Sequence, residues 1–224
     1  MTSWRRIAVI MLVLLGFVGL AVPAQAAEAA PRAVPIAVAR TLPLETVVTV
    51  DGTATTPSGA FESSFFDKGF AVQDRTAGIY VSVAVDLHIT PGTLVRATGV
   101  LRDSFGLLIL VPTDPAMVRT HGTGPRIRPT PLRTGAVGER SEGLLVRVIG
   151  AITQAPASDP PFGFKFFVND GSGELTIFVN TQTNIDLSGL ALGQIVSVTG
   201  FSSQFDTHYE IDPRFPSDIT VPRH

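Results

Sequence analysis

The stretch GFKFFVNDGSGELTIFV, residues 163–179, places side chains capable of recognition chemistry at alternate positions. Two alternating runs around an Asp-Gly-Ser-Gly turn read as a hairpin whose successive side chains point to opposite faces. Phe166, Val168, Leu175, Ile177 and Val179 supply one apolar face for a core. Lys165, Phe167, Asn169, Thr176, Phe178 and Asn180 fall on the other. Two outward aromatic rings beside a lysine are what base stacking with a phosphate contact requires. The same set serves equally as a sugar platform or a protein interface, and Phe167 and Phe178 could instead pack beneath the 159–163 loop or against another part of the chain.

A second row lies in DTHYEID, where Asp206, His208, Glu210 and Asp212 alternate along a strand. Carboxylates and an imidazole so placed can ligate a divalent ion. The commoner meaning of such a row is the wet face of a two-sided strand, and no metal site is assigned. Catalytic signatures are missing: there is no G-x-S-x-G elbow, H-E-x-x-H helix, phosphate-binding loop or dinucleotide fingerprint. The four histidines, at 88, 121, 208 and 224, are scattered. No catalytic residue and no cofactor is assigned, and the chain is expected not to be an enzyme.

The elements that would position these residues occur twice. GFAVQDRTAGIYVSV (69–83) matches the hairpin above, with Asp74 on Asp170 and Ile79, Val81 and Val83 on Leu175, Ile177 and Val179. VTVDGTAT (48–55) matches VRVIGAIT (146–153), and GTLVRATGV (92–100) matches GQIVSVTGF (193–201). The offset drifts between elements, as loop insertions produce. Strands are expected at about 45–55, 65–73, 79–85, 93–102 and 106–112, and again at about 143–153, 162–169, 174–180, 194–203 and 205–212. Short helical turns are expected at Ile36–Arg40 and Thr134–Ser141. Gly99 and Gly200 interrupt the fourth strands, where glycine marks a bulge or bend. Five short strands with a bent fourth favour a closed barrel, which leaves no exposed edge.

IAVARTLPLETVVTVDGTAT (36–55), GF-x-V-QD, GIYV and G-x-x-V-x-x-TG resemble the OB-fold modules attached to bacterial exported nucleases, and RTGAVGERSEGLLVRVIGAIT (133–153) resembles a sister module. The resemblance implies an all-β chain of two tandem five-stranded OB-fold, Greek-key barrels that bind oligonucleotide or oligosaccharide as an accessory. A separately encoded exported enzyme is then an expected partner, with single-stranded nucleic acid as the leading ligand and protein–protein assembly as the alternative. Nuclease activity does not carry over, because nothing resembles a catalytic domain. In such barrels the ligand face lies over strands two and three. That adds Gln73 and Tyr80 of the first copy to the candidates, with only Ala71 where Phe167 stands in the second. In SFGLLILVP (104–112) the outward row is apolar where the second copy has its polar row, so it is expected to pack against the other module or a partner.

The ends and the charge bound the rest. Arg5 and Arg6, the apolar run Ile7 to Val22 and Ala24-Gln25-Ala26 form a secretory signal over residues 1–26. The expected organisation is a first module at 27–122, a Pro/Arg-rich linker at 123–132 and a second module at 133–224, in a secreted or periplasmic protein. Without the signal, 15 basic residues face 19 acidic ones, which is not the balance of a general nucleic-acid binder. Arg119, Arg126, Arg128, Arg133, Arg140 and Arg147 cluster about the linker, which reads as a solvated spacer or as a track for phosphates. There is no cysteine, so the core alone must hold the fold.

Overall fold

The computed structural model describes residues 32–61 and 66–222; the expected signal peptide lies outside the described residues. A single helical turn, α1 (Ile36–Ala39), precedes β1 (Val47–Ala54), β2 (Phe70–Gln73), β3 (Gly78–Val81), β4 (Thr93–Ser104), β5 (Leu107–Val111) and β6 (Val118–Thr123). A second series follows: β7 (Thr130–Pro131), β8 (Leu145–Asp159), β9 (Gly163–Asn169), β10 (Glu174–Asn180), β11 (Ile195–Phe205), β12 (His208–Asp212) and β13 (Ile219–Thr220).

Strand order in the first sheet is β1-β2-β3-β5-β4, and β1 pairs back onto β4 to close it; β3 and β5 run parallel. The second sheet repeats this with β8-β9-β10-β12-β11 and a closing β11–β8 pairing, β10 and β12 being parallel. Five strands closed in this order, with one parallel pair, are the Greek-key barrel of the OB fold. Each barrel has its own interior. Val50, Phe70, Ile79, Val81, Val95 and Leu101 fill the first, and Val148, Phe166, Val168, Ile177, Val196 and Ile211 the second.

The strand-four glycines have a role beyond bending the chain. A Cβ on Gly99 would lie 2.6 Å from the Val111 carbonyl carbon, and one on Gly200 would lie 2.5 Å from the Asp212 carbonyl oxygen. Strand five crosses directly over each, so only glycine fits.

Two features depart from the sequence expectation. The Pro/Arg-rich segment 123–132 is strand-paired at its two ends: Thr123 pairs with Thr93 on β4, and Thr130 and Pro131 pair with Val146 and Arg147 on β8. The chain also adds β6 and β13, each hydrogen-bonded to the fourth strand of its barrel.

The two barrels meet along an extensive seam. Phe201 of β11 packs with Phe61, Ala71, Tyr80, Leu107 and Ile109 in a separate buried cluster. The apolar outer row of β5 is therefore covered by the other barrel, as its composition implies. Gly78 and Gly143 touch backbone to backbone: a Cβ on Gly78 would lie 2.0 Å from the Gly143 oxygen. Polar ties flank this contact. Arg40 bridges Glu142 at 2.9 Å and Glu139 at 3.0 Å, the Leu145 amide donates to Gln73 Oε1 at 3.0 Å, and Arg214 Nη1 donates to the Thr55 carbonyl at 2.6 Å.

Candidate functional site

The outward face of the second barrel is built in rows by strand register. Lys165 on β9 is paired with Phe178 on β10. Phe167 is paired with Thr176, Thr176 with Glu210 on β12, and Glu210 with Ser203 on β11. Asp212 is paired with Phe201. The alternation that sends Phe166, Ile177 and Ile211 into the barrel sends all of these out of it.

A cleft of about 470 Å³ lies over this face, within the range of small-molecule sites. Its walls are aromatic and come from both barrels: Phe66 and Phe105 from the first, Phe162, Phe178 and Phe205 from the second. The Phe105 and Phe205 rings are 5.2 Å apart. They stand at the tips of the β4–β5 and β11–β12 turns, which are bound to each other by the Asp206 amide donating to the Phe105 carbonyl at 2.6 Å. Asn180, Ser203, Glu210 and Asp212 line the cleft as nearly buried polar groups. Lys165, Asp159 and His208 stand among its more exposed lining residues.

The electrostatics are acidic. Lys165 Nζ is 3.1 Å from Asp159 Oδ2, so its charge is already paired. Glu210 Oε2 lies 3.5 Å from His208 Nε2, and this contact raises the His208 pKa against the opposing effect of burial. Asp212 is 5 % exposed. Burial first, and the Glu210 charge second, push its carboxyl well above the usual aspartate range. Its Oδ1 is buried without a hydrogen-bond partner. No group of three or more His, Cys, Asp or Glu side chains among the described residues has metal-binding geometry.

The sequence-derived candidates separate into three sets. Lys165, Thr176 and Phe178 come together on the cleft. Phe167 and Asn169 share the outward face but do not line the cleft. Asn169 Oδ1 is committed to the β9–β10 turn, accepting from the Gly171 amide at 2.7 Å and the Gly173 amide at 3.3 Å. Tyr80 and Gln73 are corrections. They point away from the first barrel's interior, as alternation requires, but Tyr80 is 1 % exposed beneath Phe61 and Phe201. Its single hydroxyl proton lies between two acceptors, Asp67 Oδ1 at 2.9 Å and the Phe61 carbonyl oxygen at 3.1 Å. Gln73 is held by the Leu145 amide. The second barrel thus covers Tyr80 and engages Gln73, which stays half-buried.

Sequence reasoning missed Phe105, Phe205 and Ser203 as cleft residues, and weighed Glu210 and Asp212 as the wet face of a strand or as metal ligands rather than as a cleft floor. In the repeat Phe105 falls on Asp206 and Phe205 on Ser104, as the strand pairings beside each turn show, so the alignment alone does not bring the two rings together.

No family model and no curated protein matches the chain. Among solved structures, it is similar to a murine DNA binding protein bound with double-stranded DNA, at 12 % identity and a TM-score of 0.40, covering 79 % of this chain and 97 % of that one. It is also similar to a chain of a Replication Protein A heterotrimer bound to single-stranded DNA, at 15 % identity and a TM-score of 0.28, covering 35 % of this chain and 58 % of that one. These likenesses are distant, and the barrel assignment rests on the strand order above.

Proposed function

We propose that the chain is an exported, non-catalytic binding protein that takes single-stranded oligonucleotide on the outer face of its second barrel, with a base in the cleft and the phosphates toward solvent. The observation that supports this is the convergence of Phe178, Phe105 and Phe205 on one open cleft beside Lys165. Aromatic platforms bind bases of any sequence, each stack being worth about 1–3 kcal/mol. Binding is weak, because one paired lysine supplies little phosphate attraction. The resemblance to accessory modules of exported nucleases supports a separately encoded exported enzyme as a partner, and the N-terminal segment supports a site of action outside the cytoplasm.

A second reading, oligosaccharide binding, is favoured by the polar floor. Asn180, Ser203, Glu210 and Asp212 offer hydrogen-bonding groups beneath aromatic rings. Fluorescence anisotropy with a labelled oligothymidylate across a salt series tests the oligonucleotide reading. The logarithmic salt slope for a single strand is about −0.7 per neutralised phosphate. A slope near that of one contact, and loss of binding in Phe178→Ala, is the expected result. Absence of binding at low salt, with retention on immobilised glycan, transfers the site to sugar.

A further inference from the structure

We propose that the cleft selects guanine among the bases, with Glu210 and Asp212 accepting from its N1–H and N2–H groups while Phe178 covers its face. The inference rests on the oligonucleotide reading and specifies which base that cleft takes.

The floor has three relevant properties. Glu210 and Asp212 occupy alternate positions on β12, on the same face, and both are more than nine-tenths buried. Unprotonated carboxyl oxygens there accept hydrogen bonds and repel acceptors. Asp212 Oδ1 is buried with no partner, and an unmatched buried acceptor is destabilising unless something donates to it. Asn180 and Ser203 add an amide and a hydroxyl, which can donate. The floor therefore offers acceptors beside donors.

Bases splayed out of a single strand are read on their Watson–Crick edges. Thymine presents one donor between two acceptors. Cytosine presents one amino group beside two acceptors, and adenine one amino group beside a ring nitrogen. Guanine alone presents two adjacent donors, N1–H and N2–H, next to one acceptor, O6. Two donors match a carboxylate, and O6 matches the amide or hydroxyl. An acidic floor also keeps phosphate out, so the base and not the backbone enters.

Phe178 is placed to cover such a base. It is the neighbour of Thr176 on the outward face of β10, and Thr176 pairs with Glu210. Continuing that parallel register brings Phe178 level with Asp212. Ring and carboxylate then meet the same base, one on its face and one on its edge.

The test is a titration of the chain as exported with labelled oligothymidylate and with the same strand carrying one central guanine, cytosine, adenine or inosine. The guanine strand is expected to bind about ten-fold tighter than oligothymidylate. Inosine, which keeps N1–H and lacks the N2 amino group, falls between them. Glu210→Gln, whose amide places a donor against the guanine donors, is expected to bring the guanine strand to within about two-fold of oligothymidylate. The inosine comparison needs no substitution and stands even if Glu210→Gln fails to fold. Equal affinity for all strands overturns the guanine inference and leaves the oligonucleotide reading intact. A guanine preference that survives Glu210→Gln and is unaffected by inosine also overturns it. Binding of no strand overturns the oligonucleotide reading itself. Displacement of the His208 imidazole resonance by argininamide in that case assigns the cleft to a basic protein segment.

Discussion

Phe201 of the second barrel lies against Tyr80 of the first, with ring centroids 5.9 Å apart and planes tilted by 45°. Phe61 stacks on the other side of the contact, 6.0 Å from Phe201. These rings close the face that an isolated first barrel would present to a ligand. This shared buried cluster is expected to make the two barrels unfold as one body. Phe201→Ala is expected to cost about 3–5 kcal/mol, the range for removing a buried aromatic side chain. The wild-type protein should melt in a single calorimetric transition, and the variant should show the two barrels melting apart. A variant that loses little stability would mean that the seam is held by its polar ties alone.

Tyr80→Phe separates the structural role of this tyrosine from any binding role. It leaves Asp67 Oδ1 without the hydroxyl, although that oxygen keeps the Gly69 amide at 3.0 Å. A loss of about 1–3 kcal/mol in denaturant unfolding is expected. Oligonucleotide affinity should not change, because the ring is shut in. Phe178→Ala should give the reverse: weaker binding, with a smaller effect on unfolding because Phe178 is only partly buried.

The two parts of the fold differ in how far the sequence reveals them. Alternation placed Phe166, Val168, Leu175, Ile177 and Val179 in the second interior, and all five are buried, since the faces of a strand are a local property. Strand β6 escaped notice because its residues are nearly all exposed and no apolar face marks it. The far end of β8 escaped for the same reason, since Gln154–Asp159 is mostly exposed. Tyr80 shows a different limit. Alternation says that it leaves the barrel, but only the position of Phe201, far along the chain, says that it meets protein rather than water. One signal was present: the repeat sets Phe201 on Val100, and an aromatic at one copy of a position invites a search for what it covers. The cleft was half legible for the same reason. Lys165, Thr176 and Phe178 are strand neighbours, whereas Phe105 reaches the cleft only through the docking of two barrels.

Asp170 reports on a joint that both copies share. It accepts from the Thr134 hydroxyl at 2.9 Å, from the Ser172 amide at 3.0 Å and from the Ser172 hydroxyl. Its counterpart Asp74 accepts from the Ile36 amide at 2.9 Å and from the amides of Thr76 and Ala77. Each aspartate ties the segment before its barrel to the hairpin between strands two and three. The Ser172 hydroxyl, with Thr134 and the Ser172 amide, holds the Asp170 carboxyl well below the usual range against some desolvation. A group whose folded pKa is depressed contributes stability above its unfolded value and loses it as the pH falls through the folded one. Asp170→Asn should therefore be less stable than wild type at neutral pH. The gap should close as the pH drops below the ordinary aspartate range, as followed by urea unfolding at several pH values.

Asp212 carries the opposite sign. Its carboxyl is pushed up by burial and by Glu210, so the folded state holds a proton that the unfolded state has lost. Stability from such a group is present below the unfolded value and is lost as the pH rises through the folded one. His208, beside Glu210, and Lys165, paired with Asp159, are the cations near it. Neither removes the mismatch, since the Asp212 Oδ1 atom stays unpartnered. Asp212→Asn cannot ionise. It should match the wild type in acid and become the more stable protein as the pH rises above the ordinary aspartate range, the gap widening in urea unfolding until the folded-state carboxyl ionises. Guanine N1–H and N2–H would favour the ionised carboxyl, a state that Asn cannot adopt, so the same substitution should weaken the guanine preference. A variant that gains stability at neutral pH while losing base selectivity would show that this carboxylate is retained for the ligand and not for the fold. A variant less stable than wild type above neutrality would show that the buried carboxyl already has a structural partner, and the cleft floor would then have no vacancy for a base to fill.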